Sequence, residues 1–128
     1  MKYHDYHLSG YSVDCDSSVI TLTLSWPYDK KTPNEQIIFT GVAGYHFRDA
    51  IGSIICSIEE ADLGDFIRSK TEEFSQLNKA IGYPKYWKPS IEETIENLQG
   101  KQAWTIPSSI GFEGHVIAET IKQPEPEN

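Results

Sequence analysis

The chain of 128 residues has 19 acidic and 11 basic side chains, which gives it a formal net charge of −8. A length of this order suits a single domain with its own apolar core. A negative field disfavours nucleic-acid phosphates and anionic membranes, and it speeds association with a basic protein. We therefore expect no nucleic-acid or membrane partner, although solubility alone also explains an acidic surface.

The cysteines and the first residues bear on where the protein resides. Cys15 and Cys56 are the two cysteines, too few for a disulfide framework, and each falls on the apolar face of a predicted strand. We expect both thiols to be buried in a protein of a reducing compartment. The N-terminus shows no apolar signal region and no run of residues approaches the length of a membrane span, so we expect cytoplasmic residence.

Three predicted strands come first along the chain. Residues 18–26 alternate between apolar and polar side chains, which is typical of a strand with one buried face. Residues 11–15 alternate in the same way and predict a hairpin with that strand, in which Gly10 forms a bulge that returns Leu8 to the apolar face. Residues 36–42 predict a third strand, so the three form an antiparallel meander.

A break in the strand pattern follows between Gly41 and Gly44. Residues 45–49 predict a loop or short turn in which Tyr45 and Phe47 contact the core while the histidine between them faces solvent. Apolar side chains in phase over residues 53–60 predict a fourth strand.

Two helices are predicted after these strands. Apolar side chains recur at helical spacing over residues 62–81, with Asp62 as the N-cap and Gly82 just past the last turn. The prolines of residues 83–89 predict an extended link. Ser90 then begins a second helix with the Ser-x-x-Glu spacing of a capping box.

The last predicted element is a strand over residues 110–121 that returns to the sheet. This order of elements predicts an α+β fold, with a mainly antiparallel sheet of about five strands and two helices packed on one of its faces. We expect one domain over residues 1–121 and a disordered acidic, proline-containing tail over residues 122–128.

The sequence carries no pattern that requires a cofactor, a metal ion or a catalytic site. The glycines of residues 41–44 and 111–114 lack the spacing and the following lysine of a phosphate loop. His4 and His7 point to opposite faces of any strand that holds both, which argues against joint metal ligation. We therefore expect no cofactor, no metal ion and no catalytic residue.

Acidic residues form the first candidate site for a protein partner. Glu59, Glu60 and Asp62 cluster between the fourth predicted strand and the first predicted helix, where they suit a basic partner. Stabilisation of the N-terminus of that helix also accounts for Asp62.

Aromatic residues of the extended link form the second candidate site. Tyr83, Tyr86 and Trp87 are rigid side chains of the kind that dominate interface hot spots. Packing of the same rings beneath the two helices is the competing interpretation.

An imidazole and a carboxylate form the alternative site. His46 and Asp49 have the residue types that orient a general base, and the nearby glycines would let a ligand approach the backbone. Ser53 and Ser108 lack the strand, turn and helix context of an activated nucleophile. This pair favours a small enzyme or ligand-binding domain.

Four short segments of the first half of the chain form a further pattern. They are residues 4–8 (His-Asp-Tyr-His-Leu), the alternating strand 19–26, residues 39–42 (Phe-Thr-Gly-Val) and residues 58–60 (Ile-Glu-Glu). In this order they resemble small bacterial immunity-type proteins found beside polymorphic toxins. The resemblance implies a cytoplasmic, non-enzymatic protein that inhibits a basic toxin by covering its active site.

The leading interpretation is therefore a non-enzymatic protein-interaction domain. Its more specific version is an immunity-like inhibitor of a basic toxin. Binding surfaces vary among immunity families, so the resemblance assigns no residue a role. A homo-oligomer formed through an exposed strand edge is a further alternative.

Overall fold

The computed structural model describes residues 6–48, 54–55, 57–82, 84–107 and 113–123. Within these residues the chain forms nine strands and three helices. The strands are β1 (Tyr6–Asp14), β2 (Val19–Ser25), β3 (Glu35–Thr40), β4 (Gly44–Arg48), β5 (Ile54–Ile55), β6 (Glu59–Ala61), β7 (Gln102–Pro107), β8 (Glu113–Ala118) and β9 (Thr120–Lys122), and the helices are α1 (Leu63–Ser69), α2 (Thr71–Ile81) and α3 (Ile91–Asn97).

The described strands belong to two sheets in which every neighbouring pair is antiparallel. Sheet A has the order β5-β1-β2-β3-β9, and sheet B has the order β4-β8-β7-β6. The pairing register shifts between Leu8 and Gly10, which confirms the predicted bulge. Leu8 is buried as a result.

Two apolar clusters order the molecule into three layers. The sandwich core lies between the sheets, because it joins inward-facing residues of both. Its buried members are Leu8, Ile20, Leu22, Leu24, Ile37, Phe39, Trp104, Ile106, Val116 and Ala118. The helix-side core joins the helices to the other face of sheet B. Its buried members are Phe66, Ile67, Phe74, Tyr86, Leu98, Ala103 and Ile117.

The α+β class and the mainly antiparallel pairing are confirmed, but the predicted single sheet of about five strands with two helices is wrong in detail. The predicted strand 53–60 divides into β5, which pairs with β1, and β6, which pairs with β7 of the other sheet. The predicted loop 45–49 is wrong, because residues 45–48 belong to β4 at the edge of sheet B. Tyr45 is exposed and His46 is half-buried, contrary to the predicted placement of these two side chains. The predicted last strand likewise divides at Glu119 into β8 and β9.

The first predicted helix is two helices that meet at Lys70. The Lys70 backbone has φ −104° and ψ 5°, and its N–H donates to the carbonyl oxygens of Phe66 and Ile67, each at 3.2 Å. Asp62 and Gly82 are the N-cap of α1 and the left-handed C-cap of α2, as predicted. None of the described helices combines the length and apolar character needed to cross a membrane.

Candidate functional site

A pocket of about 360 Å³ opens beside the turn of the β1–β2 hairpin. We call it the hairpin pocket. Three segments that are distant in sequence line it: the end of the hairpin, the connection from β3 to β4, and the link before α3. Its apolar lining comes from Val13, Val19, Ile20, Val42, Ala43, Tyr45 and Tyr86, and its polar lining includes Asp14, Cys15, Ser18 and Lys85.

The hairpin turn is held by a carboxylate at the end of β1. One oxygen of Asp14 accepts hydrogen bonds from the backbone N–H groups of Asp16 and Ser17, each at 3.1 Å. Hydrogen bonding from the backbone and side chain of Ser17 lowers the pKa of Asp14, so its carboxylate stays ionised. Ser18 completes the turn at φ 59°.

Cys15 lies in this turn and is exposed. The prediction of a buried thiol at this position is therefore wrong. The alternation of apolar and polar residues continues one residue beyond the strand, since β1 ends at Asp14 and Cys15 belongs to the turn. Cys56 lies outside the described residues.

The opposite wall of the pocket is fixed by backbone hydrogen bonds and by a glycine. The N–H of Val42 donates to Ser18 O at 3.0 Å, and the N–H of Ala43 donates to Ile117 O at 2.8 Å. A Cβ atom at Gly44 would lie 2.6 Å from Cε2 of the Tyr86 ring. Glycine at this position therefore lets the buried ring of Tyr86 form part of the pocket.

Three aromatic rings lie beside the pocket, where β1 of sheet A faces β4 of sheet B. The ring of Phe47 lies 4.9 Å from that of Tyr11 and 5.3 Å from that of Tyr45, measured between centroids. Tyr11 is 45% exposed and Tyr45 is 36% exposed. We call these three residues the aromatic rim. Together with the pocket they form an apolar surface that can desolvate a partner's side chain.

The predicted acidic cluster lies at the other edge of sheet B. Glu59 and Glu60 are exposed on β6, whereas the pocket borders β4. A Glu59 carboxylate oxygen accepts a hydrogen bond from the hydroxyl of Ser57 at 3.2 Å. Asp62 accepts a hydrogen bond from the Asp65 N–H at 3.0 Å, so it caps α1. The three carboxylates are close together in the chain, but they do not border the hairpin pocket.

The aromatic residues of the link have different environments. Tyr86 is 6% exposed and belongs to both the helix-side core and the pocket lining. Trp87 is half-buried, with its ring edge-on to Phe74 at 5.9 Å. Side-chain amides of Asn78 and Asn97 hold the link by donating to backbone oxygens at 3.0 and 3.4 Å. Tyr83 lies outside the described residues.

The alternative site contains a histidine that the sequence did not single out. His46 and His115 are opposite each other on β4 and β8, and their rings stack at 5.9 Å with 20° between the planes. Asp49, the predicted partner of His46, lies outside the described residues. Phe66 and Phe74 cover His115 at 5.0 and 5.7 Å.

The environment of His115 keeps its ring neutral. Burial first, and then Coulombic interactions with His46 and Lys70, lower the pKa of His115 to about 3. A pocket of about 180 Å³ adjoins it and is also lined by Glu59 and Lys70. Within the described residues, no three His, Cys, Asp or Glu side chains are placed to hold a metal ion.

The structure thus brings Tyr86 to the hairpin pocket and places Glu59 beside His115, while Trp87 packs against α2. Sequence reasoning missed the aromatic rim, because Tyr11 of sheet A and Phe47 of sheet B meet only when the two sheets stack. Comparisons of the chain with models of protein families, with curated proteins and with solved structures find no match.

Proposed function

We propose that the protein is a non-enzymatic protein-interaction domain that binds a basic protein at the hairpin pocket and the aromatic rim. The observation that carries the proposal is the exposure of Tyr11 and Tyr45 beside an apolar pocket. Contiguous exposed apolar surface is a mark of interaction sites, and buried tyrosines are among the commonest hot-spot residues of interfaces. This surface replaces the acidic cluster of β6 as the favoured binding site.

Charge supports a basic partner. The chain has a net charge of −8, and the carboxylates of Asp14 and Asp16 are exposed in the turn that borders the pocket. Complementary charge raises the rate of encounter and excludes partners of like charge.

The finer proposal is an immunity-like inhibitor whose partner is a basic toxin. The resemblance of the first half of the chain to immunity-type proteins supports it, and inhibition then consists of covering the toxin's active site. The proposed location of the complex is the cytoplasm, where an exposed free thiol such as that of Cys15 remains reduced.

Charge reversal at matched positions tests the proposal. Binding proteins are first captured from cells of the source with three tagged baits: the wild-type protein, Asp16→Lys and Glu60→Lys. Each captured protein is then purified, and its binding to the three baits is measured by calorimetric titration. Both substituted residues are exposed, so neither change disturbs a core. We expect Asp16→Lys to weaken binding of a basic protein more than Glu60→Lys, and we expect salt to weaken wild-type binding.

Tyr11→Ala supplies the second arm of this test. Loss of a hot-spot tyrosine costs about 2 kcal/mol or more of binding free energy, or roughly thirtyfold in Kd. If Glu60→Lys loses binding while Asp16→Lys and Tyr11→Ala keep it, the binding site lies on β6. The proposed function is refuted if no basic protein is captured whose binding depends on Asp16, Tyr11 or Glu60.

A second candidate function is a small enzyme or ligand-binding domain centred on His46. The stack of His46 on His115 beside a second pocket favours it. That pocket has about 180 Å³, below the range of roughly 300–1,000 Å³ that is usual for ligand sites. Titration of the two imidazoles by NMR with and without a panel of small metabolites tests it, since a bound ligand must shift their resonances.

A further inference from the structure

We infer that the partner presents one bulky apolar side chain to the hairpin pocket and a basic residue beside it to the Asp14–Ser18 turn. This inference rests on the proposed function and specifies the recognition element of the partner. The volume of about 360 Å³ falls within the usual range for ligand sites. Walls formed by Val13, Ile20 and Val42 suit an aromatic or large aliphatic group.

The pocket is formed before a partner arrives. Hydrogen bonds join Val42 to the hairpin turn and Ala43 to β8, while Thr94 accepts from the N–H of Lys88 at 2.9 Å and thereby fixes the link that carries Tyr86. A preformed pocket loses little conformational entropy on binding, so less of the free energy gained by burying one apolar side chain is offset by ordering of the pocket.

The charges around the pocket select the residue that flanks the apolar group. The carboxylate of Asp14 is held ionised by its hydrogen bonds with Ser17 and Asp16, and Asp16 adds a second exposed carboxylate to the same turn. A lysine or arginine next to the apolar residue therefore meets two negative charges. Lys85, also exposed, lines another part of the pocket and disfavours a second basic residue there.

Three synthetic peptides test this inference without the natural partner: acetyl-Gly-Lys-Trp-Gly-Ser amide, the same peptide with Ala for Trp, and the same peptide with Glu for Lys. Binding is followed by chemical-shift changes of the Ala43 and Tyr45 amides. We expect the Ala peptide to bind at least about tenfold more weakly than the Trp peptide. The Glu peptide should bind roughly two- to fivefold more weakly, and salt should reduce that difference.

Val13→Phe fills the pocket from its wall and should abolish the shifts, while Val13→Ala should preserve them. Because the larger side chain could disturb the hairpin, alkylation of Cys15 in the wild-type protein gives a second readout. Cys15 lies at the pocket and is exposed, so the Trp peptide should slow its modification and the Ala peptide should not.

Equal binding of the Trp and Ala peptides, or stronger binding of the Glu peptide, would overturn the inference. The same is true if shifts appear only away from the pocket, or if light scattering shows a self-association of the protein that Val13→Phe abolishes. The proposed function would survive each of these results if Asp16→Lys and Tyr11→Ala still weakened binding of a basic partner. The two failures are therefore distinguishable.

Discussion

The two faces of sheet B are buried in different ways. The face toward sheet A contributes Trp104, Ile106 and Val116 to the sandwich core. The face toward the helices includes His115, which is 7% exposed, and Thr94 of α3 is fully buried on the helix side. The sandwich core therefore depends on apolar packing, whereas the helix side also depends on polar groups that must be satisfied or kept neutral.

This difference separates what stabilises the fold from what responds to conditions. Burial of apolar groups changes little with pH, while a buried titratable group couples folding to proton concentration. The helix side should therefore open first under acid, and the sandwich should persist.

The largest expected effect comes from truncating one phenylalanine in each core. Phe39 and Phe74 are 0% and 1% exposed, and replacement of either by alanine should cost about 3–5 kcal/mol of unfolding free energy in urea titrations. Native-state hydrogen exchange should distinguish them. Phe39→Ala should reduce the protection of backbone amides throughout the protein, whereas Phe74→Ala should reduce it mainly in α1, α2 and α3. If Phe74→Ala reduces protection in the strands as much as Phe39→Ala does, the comparison between the two cores is wrong.

Thr94→Val should cost about 1–3 kcal/mol, because it removes a buried hydroxyl that serves two backbone groups. The Thr94 hydroxyl accepts from the Lys88 N–H at 2.9 Å and donates to Ser90 O at 3.0 Å. Thr94→Ser keeps the hydroxyl and is the matched control. If urea titrations show the two variants to be equally stable, hydrogen bonding at this site is not what holds the link.

Acid should destabilise the wild-type protein through His115. Its pKa is lowered from 6.5 to about 3 in the folded state, so the unfolded state binds more protons between these values and stability falls as pH falls. When the pH is lowered from about 7 to about 5.5, protonation of this histidine in the unfolded state should lower the free energy of unfolding by about 1 kcal/mol. The stability of His115→Phe should lack this pH-dependent contribution. If urea titrations show the same dependence of stability on pH in that variant as in the wild type, His115 is not its source.

The smallest effect is expected at the start of α1. Asp62→Ala removes the side chain that accepts from the Asp65 N–H and should cost about 1 kcal/mol. Asp62→Asn keeps an equally good cap without the charge, so urea titrations should show it within a few tenths of a kcal/mol of wild type. A loss as large as that of alanine would mean that the charge, and not the hydrogen bond, stabilises this helix.

Local features were predictable because their causes lie within a few residues. The bulge at Gly10 and the left-handed glycine after α2 follow from backbone freedom, and Ser90 begins α3 by accepting from the Glu93 N–H at 3.1 Å. The strand β7 was missed for the opposite reason. Ala103 faces the helix side and Trp104 faces the sandwich, so both faces are buried and the usual alternation of polar and apolar residues is lost.

The candidate site could not be predicted, because it depends on how the two sheets stack. Pattern analysis gives strands but not their order, and a single antiparallel sheet would have kept Tyr11 away from Phe47. The acidic cluster was visible only because Glu59, Glu60 and Asp62 are neighbours in the chain, which says nothing about the surface they face. The burial of His115 could not be predicted either, since the helices that cover it are distant in sequence.

Under the proposed function, the turn between β1 and β2 allows recognition to change independently of folding. Ser17 and Asp16 are exposed and contribute no side chain to either core, so substitutions there leave the free energy of unfolding nearly constant. A lineage under pressure to follow a changing partner could therefore alter these positions repeatedly, one residue at a time, without passing through unstable intermediates.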